Sequence, residues 1–471
     1  MRPGPLPTRG CGRFAGSSEQ HIRRKSVNVY LAQLGCRLNF SENHQLARAL
    51  QGAGHVVVNR PEQAHVAVVN TCAVTVAASG KSRRLIRHLH RSNPDLRIVA
   101  TGCHATLEPA ATGQLPGVWR VVPNQDKDLL PSLLQAWSAE LPDLDTLLRL
   151  EPDGSPLTQD AGDRSRAFIK VQDGCENRCT FCVVTLARGA GRSRPAKDVV
   201  LEIQSLAAEG FREAVLTGVH LGSWGRDLEP EGLHLAELVH RVLSETDIPR
   251  LRLSSLEPWD IPDGFFDLWQ TWPGRLCPHL HLPLQSGSDK TLRRMARRCT
   301  RAGFRQLAAD ARAAVPDLVL TTDVIAGFPG ETDRDFDDSL EFIEEISFAD
   351  AHVFPFSARP GTAAAAFDGQ MSNAEKSRRV REVQSVVAVT GDKERRRFLD
   401  TRRKVLWEGD GTALDDGAGA LWQGYTDNYL RVETVAPVGQ SLSNRITDTS
   451  LTALDGIVFQ GRVAATSGNL V

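Results

Sequence analysis

Short apolar runs alternate with polar, helix-like stretches along most of this chain, and this alternation restricts the fold more than any other feature. In residues 27–125 the runs VNVYLAQLG, HVVVN, AHVAVVNT and LRIVATG predict strands, and SENHQLARALQGAG and KSRRLIRHLHRSNP predict helices. Strands joined by helices pair in parallel, because each connection must cross the sheet. We therefore predict an N-terminal α/β domain with a parallel sheet at residues 26–130.

A second, longer α/β alternation follows a weakly patterned stretch at 131–165, where Pro152 and Pro156 indicate a linker. Its strand candidates are AFIKVQ, EAVLTGVH, RLRLSSLE, HLHLPLQ, LVLTTDVIAGF and DAHVFPFS. Six such units predict a partial (β/α)6 barrel over residues 166–398, with its active site at the C-terminal ends of the strands. The stretch 373–403 predicts a long, charged helix.

The pattern changes to short strands separated by turn residues from about residue 404. The runs KVLWEG, WQGYT, YLRVETVA, LSNRITDT and GIVFQGRVAA predict a small antiparallel β-barrel of the OB-like kind at 399–467. At the other end, residues 1–25 lack the apolar segment of a secretory signal, and we expect a disordered extension there.

Composition excludes several classes of protein. The chain has 471 residues, enough for roughly three domains, and no apolar stretch approaches the ~18 residues of a membrane helix. Nine cysteines spread over this length do not fit a small secreted disulfide scaffold, so we expect a cytoplasmic protein. Because the net charge is −1, binding to nucleic acid must come from local patches.

Three cysteines follow the first strand of the second alternation, in the segment CENRCTFC. The thiolates of Cys175, Cys179 and Cys182 are soft ligands that suit an iron–sulfur cluster or zinc. Zinc would need a fourth Cys or His at the right spacing, and the ferredoxin pattern needs a fourth Cys before Pro; the sequence has neither. Three ligands leave one iron of a [4Fe–4S] cube open for substrate chemistry. The spacing predicts a catalytic cluster, and a non-catalytic electron-transfer or RNA-binding iron–sulfur protein is the alternative.

A second set of cysteines has no local spacing rule. Cys36, Cys72 and Cys103 each stand just past the C-terminal end of a predicted parallel strand, and such ends converge on one crevice. Geometry alone leaves two interpretations open, three core cysteines or a second three-ligand cluster. The remaining cysteines are predicted to be structural or to lie in the extension: Cys277, Cys299 and Cys11.

The chain resembles the radical S-adenosylmethionine methylthiotransferases from about Val27 to Arg462. The motifs that carry the resemblance are GCRLN at 35–39, NTCAVT at 70–75, TGC at 101–103, CENRCTFC at 175–182, LPLQSGSD at 282–289, DVIAGFPGE at 323–331 and FSARPGT at 356–362. The family fold is an N-terminal α/β domain, a partial barrel and a C-terminal TRAM domain, which agrees with the partition above.

The resemblance implies two [4Fe–4S] clusters and S-adenosylmethionine as cofactors. Cys175, Cys179 and Cys182 would hold the cluster that cleaves S-adenosylmethionine to a radical, and Cys36, Cys72 and Cys103 would hold an auxiliary cluster carrying the transferred sulfur. No side chain is then needed as a general acid or base. The implied partners are the anticodon loop of tRNA and an external electron donor, with a monomer favoured.

Members of this family act on isopentenyladenosine 37 of tRNA, on threonylcarbamoyladenosine 37 of tRNA, or on an aspartate of a ribosomal protein. GCRLN with Glu42, LARG at 186–189, TGVHLGSWG at 217–225 and SSLEP at 254–258 resemble the threonylcarbamoyladenosine enzymes. The expected activity is therefore methylthiolation at carbon 2 of threonylcarbamoyladenosine. Thr185-Leu186 and Ser288 depart from the usual family text without touching a cluster ligand.

Candidate contacts of S-adenosylmethionine lie inside the cysteine motif or at predicted strand ends: Phe181, Thr217, Gly218, Ser254, Gln285 and Gly327. Each also has a plainer interpretation. Phe181 fits a core aromatic, strand-end glycines such as Gly218 are common, and Gly327 to Glu331 fits a structural turn.

Two basic runs, KSRRLIRHLHR at 81–91 and KTLRRMARRCTRAGFR at 290–305, predict either solvated helix faces or phosphate contacts. The region 401–471 is net acidic, so an RNA role there depends on aromatic residues. Trp422, Tyr425 and Tyr429 are candidates for stacking on bases, with strand or core aromatics as the alternative.

Overall fold

The computed structural model describes residues 26–141, 165–228, 233–415 and 417–464. The expected extension at 1–25 with Cys11, and residues 142–164 of the expected linker, lie outside the described residues. No helix among the described residues is long and apolar enough to cross a bilayer.

The N-terminal unit is a five-stranded parallel sheet in the order β2-β1-β3-β4-β5. Its elements are β1 (Asn28–Gln33), α1 (Arg37–Gly52), β2 (Val56–Val58), β3 (Val66–Thr71), α2 (Val76–Ser92), β4 (Arg97–Thr101), α3 (Gly102–Leu107), α4 (Pro109–Gly113), β5 (Val118–Val121) and α5 (Leu130–Trp137). In doubly wound sheets with this strand order, ligands bind outside the C-terminal ends of the first and third strands. The half-buried edge strand β5 was not predicted, because VWRV has neither alternation nor a continuous apolar run.

The central unit contains six parallel strands that form the predicted partial barrel. Its elements are β6 (Arg166–Lys170), β7 (Gln172–Asp173), α6 (Val184–Arg188), β8 (Arg192–Ser193), α7 (Ala196–Ala208), β9 (Glu213–Thr217), α8 (Leu235–Glu245), β10 (Arg250–Leu253), α9 (Asp267–Thr271), β11 (His279–His281), α10 (Asp289–Arg294), α11 (Arg301–Ala314), β12 (Val319–Ala326), α12 (Asp333–Ile346), β13 (Asp350–Pro355) and α13 (Asn373–Arg396). The barrel consists of two three-stranded sheets, β6-β9-β10 and β11-β12-β13, joined by single parallel bridges such as Ser255 to His281.

The inner strands and outer helices of this unit share one apolar core, which includes Leu216, Leu253 and Val242. The long helix α13 ends at Arg396 rather than at 403, because the chain turns at Asp400 (φ +58°) to begin the next strand.

The C-terminal unit is a closed five-stranded barrel in the order β14-β15-β16-β18-β17. Its strands are β14 (Arg402–Ala413), β15 (Gly419–Thr426), β16 (Arg431–Pro437), β17 (Ile446–Asp455) and β18 (Val458–Val463). All neighbours pair antiparallel except β16 and β18, so the prediction of a small OB-like barrel is confirmed with one parallel pair.

Trp422 lies in the core of this barrel and is 4% exposed, so of its two interpretations the core aromatic is confirmed and stacking on a base is excluded. Its indole packs against Gly411, where a Cβ atom would lie 2.8 Å from the ring. The C-terminal barrel docks on the central unit near the starts of the central strands. Arg250 at the start of β10 donates to the Lys404 carbonyl at 2.6 Å, and Arg403 pairs with Asp317 at 2.6 Å.

Candidate functional site

Six cysteines, all those predicted as cluster ligands, line one cavity of about 700 Å³. They are Cys36, Cys72, Cys103, Cys175, Cys179 and Cys182. The C-terminal ends of β1, β3 and β4 bring the first three to the cavity, and the loop between β7 and α6 brings the others. The cavity therefore begins where the strand ends of the N-terminal sheet face those of the partial barrel, and it extends to His279 and Val319 at the starts of β11 and β12.

Backbone contacts define the loop that carries the local triad, Cys175, Cys179 and Cys182. Cys175 donates its N–H to the Gly189 carbonyl at 3.0 Å, and Cys182 donates to the Cys179 carbonyl at 3.1 Å. Gly174 precedes the loop at φ +72°, where a Cβ atom would lie only 1.9 Å from the Ala190 carbonyl oxygen. Only glycine fits that close approach, so the residue before the first cysteine is fixed by the backbone path.

The cysteines of the local triad are half-buried, and backbone amides point at two of their sulfur atoms. The Asn177 N–H points at Cys175 Sγ at 3.4 Å, and the Val184 N–H points at Cys182 Sγ at 3.5 Å. Burial raises the pKa of the Cys182 thiol to about 12. A cation must therefore displace the proton before this sulfur binds as a thiolate, as soft metal centres do.

The distributed triad, Cys36, Cys72 and Cys103, is assembled by sheet topology. Burial raises the pKa of Cys72, and the neighbouring thiols of Cys36 and Cys103 raise it further, so the three sulfurs lie close enough to interact electrostatically. Gly102, at φ +92°, allows the chain to turn directly from β4 into the helix that carries Cys103. A Cβ atom there would lie 2.3 Å from the Thr71 carbonyl oxygen on the neighbouring strand.

Among the described residues, no three His, Cys, Asp or Glu side chains converge on one metal-ion position. This is compatible with a cube, because the three cysteines of a [4Fe–4S] cluster bind three different irons around a shared space. Three thiols lining one cavity provide such a donor set in each triad.

A buried ionic network connects α1, which follows Cys36, with α6, which follows the loop of the local triad. Glu42 on α1 pairs with Lys127 at 2.6 Å and with Arg188 on α6 at 2.8 Å. Arg188 also donates to Asn39, three residues after Cys36, at 2.8 Å. Burial opposes ionisation of Glu42, but the neighbouring cations outweigh it and hold its pKa well below the ordinary value. The network fixes the N-terminal sheet against the loop of the local triad.

Two ion pairs beside the local triad were not predicted from the sequence. Arg297 forms a two-point pair with Glu257, at 3.0 and 2.6 Å, and its Nη1 lies 4.0 Å from Cys179 Sγ. His220 contacts both Asp260 and Asn177. Arg297 belongs to the basic run 290–305, for which the sequence predicts solvated helix faces or phosphate contacts, but its side chain is 1% exposed. Its partner is about forty residues away in the chain, so no local pattern indicated the pair.

Five of the six predicted S-adenosylmethionine contacts line the cavity: Phe181, Thr217, Gly218, Ser254 and Gln285. Phe181 also packs against the small apolar cluster of Met295, Phe328 and Phe356, so both of its interpretations have structural support. Gly327 is not among the lining residues.

The polar members of this set have features that suit ligand binding. Ser254 Oγ is buried without a hydrogen-bond partner among the described residues. Gln285 adopts φ +72°, a conformation that is strained for a residue other than glycine. The N–H of Gly327 instead donates to Glu331 at 3.0 Å within a buried turn, and its role at the cofactor stays a prediction.

The C-terminal barrel contributes two aromatic residues to the same cavity, Tyr425 and Tyr429. Their rings stack at a centroid distance of 4.9 Å, and the Arg166 guanidinium lies 4.8 Å from the Tyr425 ring centre. These tyrosines lie near the starts of the barrel strands, where the Tyr429 ring is 5.0 Å from that of His279 in β11.

Family models match both halves of the site. A model described as Radical SAM superfamily matches residues 169–343, and one described as Uncharacterized protein family UPF0004 matches residues 28–122. Among solved structures, the radical S-adenosylmethionine methyltransferase TsrM from Kitasatospora setae is similar in fold, with a TM-score of 0.54 and 16% identity over 72% of this chain and 77% of that one. The fold and the matched model define the chain as a radical S-adenosylmethionine enzyme.

Curated relatives narrow the class. The threonylcarbamoyladenosine tRNA methylthiotransferase MtaB of Thermotoga maritima is 35% identical over 89% of this chain and 94% of its own length, and that of Bacillus subtilis is 34% identical over 86% and 90%. The tRNA-2-methylthio-N(6)-dimethylallyladenosine synthase of Chloroflexus aurantiacus is 34% identical over 91% of both chains. The chain belongs to the radical S-adenosylmethionine tRNA methylthiotransferase family, and membership implies a [4Fe–4S] cluster and S-adenosylmethionine.

Proposed function

We propose that this protein inserts a methylthio group at carbon 2 of N6-threonylcarbamoyladenosine 37 in tRNA, using two [4Fe–4S] clusters. The observation that carries the proposal is that two separate cysteine triads line one cavity of about 700 Å³. One cluster would suffice to generate a radical, so a second three-thiol site in the same space supports a reaction that also delivers sulfur.

In this proposal the local triad holds the cluster that binds S-adenosylmethionine. When bound, this cofactor pair supplies the one-electron chemistry that activates an inert C–H bond. The chain's own residues position it: Ser254 offers a hydroxyl without another partner, and Gln285 lies at the end of the neighbouring strand. Phe181 provides an apolar wall within the cysteine loop. The electron comes from an external donor.

The distributed triad then holds the auxiliary cluster that carries the sulfur. The Glu42–Arg188 contact holds the unit that carries the distributed triad against the segment that follows the local triad, so that both triads face one cavity. We propose no general acid or base, because the clusters and S-adenosylmethionine supply the bond-breaking chemistry.

The tRNA partner is supported by one basic surface and by the tyrosine pair at the cavity. On α2, Lys81, Arg84, Arg87 and Arg91 are exposed, and none pairs with a carboxylate among the described residues. Such unneutralised cations suit phosphate contacts.

We propose that the protein acts as a monomer in the cytoplasm.

The substrate assignment follows from the local motifs and from the two MtaB relatives. The competing candidate is dimethylallyladenosine 37, favoured by the Chloroflexus relative at nearly the same identity. Overall identity therefore does not separate the two substrates.

Nucleoside mass spectrometry decides between them. The chain would be expressed in a bacterium that makes both precursor nucleosides but lacks its own methylthiotransferases. We expect 2-methylthio-threonylcarbamoyladenosine in the tRNA, and none with a Cys72→Ala variant. Methylthiolation of dimethylallyladenosine instead would establish the competing function.

A further inference from the structure

Arg37 places a positive charge in the wall of the cavity, directly after Cys36. It is the first residue of α1 and reaches the C-terminal barrel, where its Nη2 donates to the Tyr429 hydroxyl at 2.8 Å. The guanidinium lies 5.4 Å from the Tyr429 ring centre and 5.9 Å from that of Phe168. Two aromatic rings and a neutral hydroxyl therefore hold the group in place without neutralising its charge.

Most other arginines in the cavity wall have carboxylate partners. Arg188 pairs with Glu42 and Asp173, Arg297 with Glu257, and Arg431 with Glu433. Arg37 forms no ion pair with any carboxylate among the described residues. Arg395 also lacks one, but it donates to the Ala349 carbonyl at 2.9 Å and has Asp350 and Asp392 as acidic neighbours.

Arg37 is half-buried, and a guanidinium that faces a cavity without an anion keeps hydrogen-bond donors available for a ligand that supplies negative charge. The planar guanidinium fork matches a carboxylate, which it can bind through two parallel hydrogen bonds. The proposed substrate carries such a group, because the threonyl part of the threonylcarbamoyl substituent ends in a carboxylate. The dimethylallyl substituent has no charge and would leave Arg37 unpaired.

We propose that Arg37 binds the threonyl carboxylate of threonylcarbamoyladenosine 37 and is the residue that selects this substrate. The inference depends on the proposed function and extends it to a recognition contact. The substituent is attached at carbon 6 of adenine, and only N1 separates carbon 6 from carbon 2. A carboxylate bound by the Arg37 guanidinium would lie in the same cavity as the distributed triad. A site built around a charged contact rejects a ligand that lacks it far more strongly than an apolar pocket does.

The test compares binding of two anticodon stem-loop RNAs, one with threonylcarbamoyladenosine and one with unmodified adenosine at position 37, to the full-length protein loaded anaerobically with its clusters. We expect wild type to bind the modified RNA about tenfold tighter or more, the usual strength of a charge-assisted contact. In Arg37→Gln this preference should fall to about one, with iron content and visible absorption unchanged.

Arg48→Gln is the matched control, because Arg48 lies on the same helix but is exposed and pairs with Glu209 outside the cavity. It should leave the preference at its wild-type value. Tyr429→Phe removes the hydroxyl and keeps the charge, so it should retain most of the preference. If Tyr429→Phe loses as much as Arg37→Gln, the arginine acts by docking the C-terminal barrel and the inference is wrong.

Two further results would overturn the inference and leave the proposed function standing. One is an Arg37→Gln variant that still prefers the modified RNA tenfold; the other is loss of iron in that variant, which would assign Arg37 to the auxiliary cluster. A wild-type protein that methylthiolates dimethylallyladenosine and does not distinguish the two RNAs would overturn the proposed function as well. The nucleoside analysis of wild type separates these cases.

Discussion

The two cysteine triads reach the same cavity by different routes. Cys175, Cys179 and Cys182 lie in one loop, whereas Cys36, Cys72 and Cys103 come from the ends of three neighbouring parallel strands. The local triad needs only a correct turn, and the distributed triad needs the whole sheet in register. The distributed triad should therefore be the more sensitive of the two to changes in the fold.

Removing one cysteine from either triad should change the iron content of the protein strongly. Under the proposed two-cluster scheme, Cys72→Ala and Cys179→Ala should each lower the iron from about eight to about four per chain, because each removes one of the three proposed ligands of a cluster. Only Cys72→Ala should still release 5′-deoxyadenosine from S-adenosylmethionine under reducing conditions. Cys277→Ala is the control, since Cys277 is buried outside the cavity, and it should keep all the iron. Loss of cleavage in both ligand variants would show that the two sites do not divide the work.

The ionic network tests how the two triads are held against each other. Glu42→Gln should lower the free energy of unfolding by about 3 kcal/mol, because it leaves Lys127 and Arg188 buried without their partner. The midpoint of urea unfolding measures this. Glu140→Gln, which removes an exposed pair with Arg120, should change it by less than about 1 kcal/mol.

The contribution of this network to the free energy of unfolding should depend on pH. Since the folded protein holds the pKa of Glu42 below its unfolded value, the contribution of Glu42 is complete above about pH 4.3 and is lost as the pH falls below that value. The Gln variant should therefore lose less stability than wild type between neutral pH and acid. Equal losses would place the acid-sensitive group elsewhere.

A single methyl group tests the dependence of the distributed triad on the sheet. Gly102→Ala should cost about 2 kcal/mol, because its Cβ atom would clash with the Thr71 carbonyl and its φ is +92°. Iron should fall to that of one cluster, with cleavage of S-adenosylmethionine retained. Gly80→Ala in α2 is the matched control: nothing lies within 4 Å of its Cβ position, and it should gain about 0.5–1 kcal/mol. Full iron content in Gly102→Ala would contradict the proposed sensitivity.

The two triads also differ in how well the sequence alone predicted them. The CENRCTFC spacing alone indicated the first cluster, and the strand rhythm predicted the barrel around it. The second triad could be predicted only through the fold, since no local pattern links Cys36 to Cys103. The pair Arg297–Glu257 and the approach of Tyr429 to Arg37 depend on how separate units dock, which neither periodicity nor spacing encodes. The two interpretations of Trp422 stayed open because core and stacking aromatics look alike in a short strand.

The basic helices α2 and α11 should contribute differently to RNA binding, and this difference should be small. α2 follows Cys72, and its Arg84 and Arg87 are exposed without carboxylate partners among the described residues. On α11 of the partial barrel, Arg301 pairs with Asp338 and Arg305 with Glu345. Neutralising Arg84 and Arg87 to Gln should weaken tRNA binding several-fold and lower the slope of log affinity against log salt by about 1–2, because two phosphate contacts are lost.

The matched double variant, Arg301→Gln with Arg305→Gln, should leave both the affinity and the salt slope nearly unchanged, because those guanidinium groups are already neutralised by carboxylates. Filter binding across a salt series measures both quantities. Equal losses in the two double variants would mean that the RNA also contacts α11. In that case α2 would not be the preferred phosphate-binding helix. The difference between the two triads would then have no counterpart on the RNA-binding surface.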